Sequence, residues 1–326
     1  MRSLASPGSY ARRLFFLNGA CAYSNEGNVD GAYVRRLLLA LDGMRRGSKL
    51  LLFAFERAYT ETGARDDERT SFYVPDAYAR QLAREHARYF EWVASIHPYR
   101  ADCVAALEQA KRDGARAVKW IPSVMGMDPA SARCDGFYAA AARLGMPIIS
   151  HAGLERAVLG ARQDYGNPLK LRRALDAGVR VVVAHCASMG QDIDLDKGPN
   201  GPKVDSFELF SRLMGLPQYE RFLFGDLSAM TQINRAAPAL ARVVERGDWH
   251  ARLLNGSDYP LPGIMPLFSV DYLVSLGLVQ ESAVPVLQEI RAHNPLLFDF
   301  VLKRHLRSNG KALSKVIFET RRFFET

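Results

Sequence analysis

Two histidines and an aspartate stand where apolar runs stop. His151 ends the run in "MPIISHAG", His185 ends "VRVVVAHCAS", and Asp258 closes the run in "RLLNGSDYP". Lys119 in "ARAVKWIP" and Asp226 in "FLFGDLSAM" end two comparable runs. Two neutral imidazoles and a carboxylate are ligands that suit Zn²⁺. Such an ion lowers the pKa of bound water to about 7, and a carboxylate beside that water can take its proton. The chemistry in view is attack by an activated water.

Each residue alone has a plainer reading. A histidine closing an apolar strand can be structural, bonded to backbone. Asp258 could cap the turn into Pro260, and Lys119 could reach solvent past Trp120 on its aliphatic stem. For Asp226 the plainer reading is preferred, as N-cap of the next helix. Jointly, the separations follow a structural period, which chance placement would not do.

That period belongs to the elements that must position these groups. Helical patterns run to Gly114, Gly145, Gly178, Gly215 and Gly247, in steps of 31, 33, 37 and 32 residues, and a short apolar strand follows each. This is the length of one βα unit. "DCVAALEQAKRDG" places Val104, Leu107 and Ala110 at helical spacing, and Asn167–Pro168 reads as N-cap and first helical residue. The strands lack polar alternation, as a parallel sheet covered by helices demands. "GSKLLLFAFERAY" and "YFEWVASIHPYR" add two strands upstream, and helices are expected near 32–44 and between those two strands. At least seven strands alternating with helices, with no G-x-G-x-x-G, predict an α/β fold of the (β/α)8 TIM-barrel type. The stretch 188–203 reads as an irregular loop on the face where strands end, and 265–326 as a C-terminal helical extension. No linker interrupts the chain, so one domain over 1–326 is expected.

Composition narrows the function classes. The 326 residues are 48% hydrophobic and 24% charged, with net charge +8, ordinary for a globular chain with a large core. The basic residues are dispersed, with no run or aromatic-interleaved stripe, so nucleic acid is not an expected partner. Cys21, Cys103, Cys134 and Cys186 are far apart, which argues against a zinc knuckle or disulfide framework and for a reducing cytoplasm. After Arg12 and Arg13 the apolar run "LFFL" is too short for a signal core, and no window approaches the roughly 20 apolar residues of a membrane span. The apolar "PLLFDFVLKRHL" could supply a homo-oligomer interface.

"IISHAG", "VVVAHCAS" and "LLNGSDYP", in that order after "AVKWIP", resemble the amidohydrolase superfamily of metal-dependent TIM-barrel hydrolases over roughly residues 30 to 265. More narrowly they resemble its amidohydrolase-related branch. The resemblance implies His151 and His185 as ligands of a divalent metal, most simply zinc, with His185 alternatively a polarising imidazole. It implies Asp258 as a further ligand and the general base. Lys119 sits where some members carry a carboxylated, metal-bridging lysine; here it could instead hold an anionic substrate. Together with Trp120, Arg156 and Arg162, it points to a small, carboxylate-bearing amide, lactone or ester. One departure matters: the family begins with a strand ending in His-x-His, and this chain has none. Residues 1–30 read as the loop or helix after that missing strand, lost by a late start or by nature. His97 is the one stand-in, and metal binding is expected to be weak or absent. A non-oxidative decarboxylase, or an impaired barrel acting as a binding protein, are the alternatives.

Overall fold

The protein is described by a computed structural model covering residues 7–22, 27–156 and 161–325. The chain forms two compact units. One comprises Lys49–Asp226, Arg252–Leu254 and Glu319–Thr326; the other comprises Met1–Ser48, Leu227–Ala251 and Asn255–Phe318.

The first unit is built on parallel strands: β1 (Leu50–Phe53), β2 (Phe90–Val93), β3 (Val118–Trp120), β4 (Ile148–His151), β5 (Val181–Ala184), β6 (Leu223–Asp226) and β7 (Leu253–Leu254). β1 pairs with β2, and β3 to β7 pair in sequence order, all parallel. A parallel bridge between Ala94 and Val118 joins the two groups into one run of seven. These are the seven strands read from the sequence, and the fold is of the TIM-barrel type.

Register decides which side chains share the inner face. Lys119 pairs with Ile149, Ile149 with Val182, and Val182 with Phe224. Successive side chains alternate between faces, so His151 and Asp226, each two residues further along, share that face one layer higher. Below them Val93, Ala117, Ile149, Val182 and Leu254 form a buried cluster with Phe323, and Leu51, Phe53 and Phe224 pack against it. Phe323 comes from the last residues of the chain, lying 4.7 Å from the Phe224 ring. Its carbonyl accepts from Arg180 Nη1 at 3.0 Å. Residues read from the sequence as the end of a helical extension therefore belong to the strand unit.

Helices Asp76–Glu85, Cys103–Arg112, Asp135–Arg143, Arg172–Asp176 and Ser206–Met214 alternate with the strands. Asn167 caps the turn ahead of the fourth, accepting from Leu169 N–H at 3.0 Å, as its sequence position predicted. The stretch expected to be an irregular loop instead contains an antiparallel hairpin, Gln191–Ile193 against Lys203–Asp205. Its strands are too polar to show an apolar pattern; backbone pairing and the Asp194–Arg212 ion pair at 2.7 Å hold it.

The second unit is helical, with Val29–Asp42, Val284–His293 and Pro295–His305 its main described elements alongside Pro7–Ala20. No helix among the described residues is long and apolar enough to cross a membrane.

Candidate active site

The inner face of the strand unit ends in ionisable groups because its strands stop there. Lys119 is 6% exposed, His151 3% and His185 6%, burial that charged or polar groups rarely reach without a purpose or a partner. Lys119 Nζ lies 5.7 Å from the centre of the Phe53 ring, on the face where a cation is favoured. The rings of His151 and His185 meet edge to face, 5.4 Å between centres.

The backbone beyond β5 is strained. His185, Cys186 and Ala187 have φ of 56°, 50° and 51°, three consecutive non-glycine residues in the left-handed region. Each such residue costs about 1–3 kcal/mol and persists only where its surroundings enforce it. Here Asp226 Oδ1 accepts the His185 N–H at 3.1 Å, and Cys186 Sγ points to the Asp226 carbonyl at 3.3 Å. Gly225 makes room: a Cβ there would lie 2.7 Å from Cys186 Sγ. The strained turn sets where the His185 ring falls against His151.

Asp226 is therefore not the N-cap that sequence favoured. It ends β6 and accepts from a backbone N–H on the neighbouring strand's end, while the next helix begins only at Ala239.

A residue that sequence reasoning missed stands beside His151. Glu155 Oε2 lies 3.4 Å from His151 Nε2, with side chains 7% and 3% exposed. Its only sequence signal is the four-residue step from His151 in "HAGLE".

Other expected contributors lie elsewhere. Trp120 alternates with Lys119 and so faces outward; its Nε1 donates to Ile96 O at 2.8 Å and its ring packs against Phe137 and Tyr138. It is a core residue of the helical layer, not a substrate contact. Arg156 and Arg162 are both exposed. Arg162 stacks 4.2 Å over the Tyr165 ring and lies 3.9 Å from Asp164, the ordinary setting of a solvated arginine. Residues 157–160 of the same loop lie outside the described residues. His97 does not stand in for a missing ligand: Nε2 bonds to Met125 O at 3.0 Å and Nδ1 accepts from Tyr99 N–H at 3.1 Å. Burial pushes its pKa down to about 3, so both nitrogens stay committed to the backbone with the ring neutral.

Asp258 belongs to the helical unit, where it is exposed with φ of 54°. Its turn is held from within that unit. Lys303 Nζ donates to Gly256 O and to Asp299 Oδ2, each at 2.6 Å, and both side chains of this ion pair are 1% exposed.

The family resemblance implies a divalent ion, which needs several donors converging at one point. Among the described residues, no three His, Cys, Asp or Glu side chains gather where they could hold a metal ion. The Asp226 carboxylate is already engaged by a backbone N–H, and Glu155 Oε2 stands 3.4 Å from His151 Nε2. The residues in place do not fit an ion.

Comparison with known proteins agrees with the strand ends. The family model described as "Amidohydrolase" matches residues 52–264, a span that contains Lys119, His151, His185, Asp226 and Asp258. The chain belongs to the amidohydrolase family. Among solved structures, this amidohydrolase is similar to an uncharacterised TIM-barrel protein from Bordetella bronchiseptica, at 17% identity and TM-score 0.50, covering 89% of this chain and 91% of that one. It is more loosely similar to a "probable 2-pyrone-4,6-dicarboxylic acid hydrolase" from Acinetobacter baumannii, at 13% identity and TM-score 0.41, over 76% and 95% of the two chains. A dihydroxybenzoic acid decarboxylase from Polaromonas, solved with manganese and 2-nitroresorcinol, is similar at 12% identity and TM-score 0.37, over 69% and 72%. At these identities the likeness speaks to the fold alone. No curated protein matches the chain.

Proposed function

We propose that this amidohydrolase hydrolyses a small ester, lactone or amide that carries a carboxylate. The observation that supports the reading is the burial of Lys119, His151 and His185 at the ends of three successive strands. In hydrolysis, water adds to the acyl carbon, the bond to the leaving oxygen or nitrogen breaks, and the proton shed by water ends on the leaving group. A buried lysine ammonium suits the developing oxyanion, or the substrate's own carboxylate, because a fixed charge in a dry site acts strongly. His185, held by its strained turn against His151, suits proton delivery to the leaving group. The water's proton is assigned to Asp258 on its "GSDYP" motif alone. Every group in this scheme belongs to the chain itself.

The test is a panel of carboxylate-bearing esters, lactones and amides assayed for acid release, beside aromatic carboxylates assayed for CO₂. Acid release from the first set supports the proposal. CO₂ release without acid would replace hydrolysis by decarboxylation, and turnover of neither set would leave a binding protein.

A further inference from the structure

Asp258 stands on a turn that is held from both sides. Before it, Asn255 N–H donates to Ile317 O at 3.0 Å, and Gly256 O accepts from Lys303 Nζ at 2.6 Å. After it, the Tyr259 hydroxyl donates to Ala20 O at 3.2 Å. Gly263 also approaches Gly19 so closely that a Cβ on it would stand 2.1 Å from Gly19 O. Within the turn, Ser257 Oγ accepts the Tyr259 N–H at 3.2 Å, and Asp258 O accepts the Leu261 N–H at 3.0 Å. Between these points Asp258 takes a φ of 54°, a left-handed backbone that its surroundings must impose.

One of these contacts is not explained by stability alone. Lys303 lies one helical turn from Asp299 in the helix Pro295–His305, and both side chains of the pair are 1% exposed. Taking two charges out of water costs about as much as their attraction returns, so an apolar pair of similar volume would serve the core equally well. An apolar pair cannot donate a hydrogen bond. Asp299 Oδ2 holds the ammonium at 2.6 Å, and a second ammonium hydrogen reaches a backbone carbonyl 47 residues earlier in the chain. A charged donor binds such an oxygen more strongly than a neutral one. The carbonyl it binds belongs to the residue two before Asp258, a glycine with no side chain to fix its own peptide.

We infer that Lys303, backed by Asp299, is the positioning residue of Asp258: it locks the Gly256 peptide so that the turn presents the aspartate in one orientation. This rests on the hydrolase reading for what Asp258 does, and on the hydrogen bonds alone for how it is held.

The test uses the full chain carrying Lys303→Met and Asp299→Leu together, which removes both buried charges and leaves Gly256 O without its donor. Hydrogen exchange, followed amide by amide, is the first readout. The Leu261 N–H should exchange at least about 10-fold faster than in the wild type, as loss of a bond from a charged donor implies. The Leu287 N–H, inside the helix Val284–His293 of the same unit, should keep its rate. For any panel substrate that the wild type turns over, kcat should fall about 10-fold or more with KM unchanged, because a misplaced base costs the chemical step and not the binding.

An unchanged Leu261 rate would overturn the inference. So would an equal rise at Leu287, which would make the pair a matter of general stability, or a faster Leu261 with kcat intact. If the wild type turns over nothing, the hydrolase reading fails, while the exchange rates still decide whether Lys303 holds the turn. Should the double variant fail to fold, the wild type decides by NMR. A coupling across the hydrogen bond from Lys303 Nζ to the Gly256 carbonyl carbon would uphold the inference, and its absence would overturn it.

Discussion

The carboxylate of Asp226 accepts the backbone N–H of His185 at 3.1 Å, tying the end of β6 to the first residue of a left-handed turn. The bond ties the two strand ends together at the point where the chain is most strained. Asp226→Ala leaves a buried N–H without that acceptor, at a cost of roughly 1–3 kcal/mol. Urea unfolding should show a lower midpoint with unchanged slope. Asp226→Asn keeps an acceptor oxygen and should lose less than about 1 kcal/mol. Equal losses in the two variants would show that the carboxylate acts by something other than this bond.

The buried pair of Lys303 and Asp299 yields a second expectation. Lys303→Met strands the Asp299 charge in a site 1% exposed and should cost about 3–5 kcal/mol. Adding Asp299→Leu should recover most of that loss, because a well-packed apolar pair often replaces a buried ion pair at little net cost. Thermal unfolding of the single and double variants checks this. A double variant no better than the single would place the cost in the lost tether to Gly256.

Asp76 predicts a pH effect. Its Oδ1 accepts the Ser95 N–H at 2.8 Å, yet burial, with the Glu56 carboxylate nearby, pushes its pKa up to about 6 from 3.8. The folded state therefore holds this proton more tightly than the unfolded chain. The stability that Asp76 contributes is full below about pH 4 and is lost as pH rises through about 6, on the order of 3 kcal/mol in all. Asp76→Asn keeps the acceptor without the charge. Its melting temperature relative to the wild type should rise between pH 4 and pH 7; a constant difference would show that the carboxyl titrates normally.

Asp258→Asn bears on the proposed reaction. If Asp258 takes the water's proton, turnover of any responsive panel substrate should fall at least about 10²-fold with the fold intact. Undiminished kcat would remove Asp258 from the scheme.

The strands and their order were legible because they are short, β-branched and separated by helices that stop at regularly spaced glycines. The same regularity exposed Lys119, His151 and His185. Trp120 faces away from Lys119 because, in a strand, the neighbour of an inward lysine must face outward. His97 looked available because nothing in "SIHPYR" reveals that Met125 O and Tyr99 N–H occupy its ring. Asp226 reads as a cap in sequence because its partner is a backbone group 41 residues away, and backbone groups carry no sequence signal. Glu155 was hidden for a related reason. It is not at a strand end but is folded back to one by the turn at Gly153 and by Gln163, whose side-chain amide bonds both the N–H and the carbonyl of Glu155.

Phe323 completes the apolar cluster beneath the strand ends, and Leu253–Leu254 supply the seventh strand, although residues 255–318 between them build the other unit. A ribosome that has delivered six strands has thus delivered a barrel with its floor still open. The cluster around Phe224 therefore closes through contacts far apart in sequence, the kind of pairing that forms slowly.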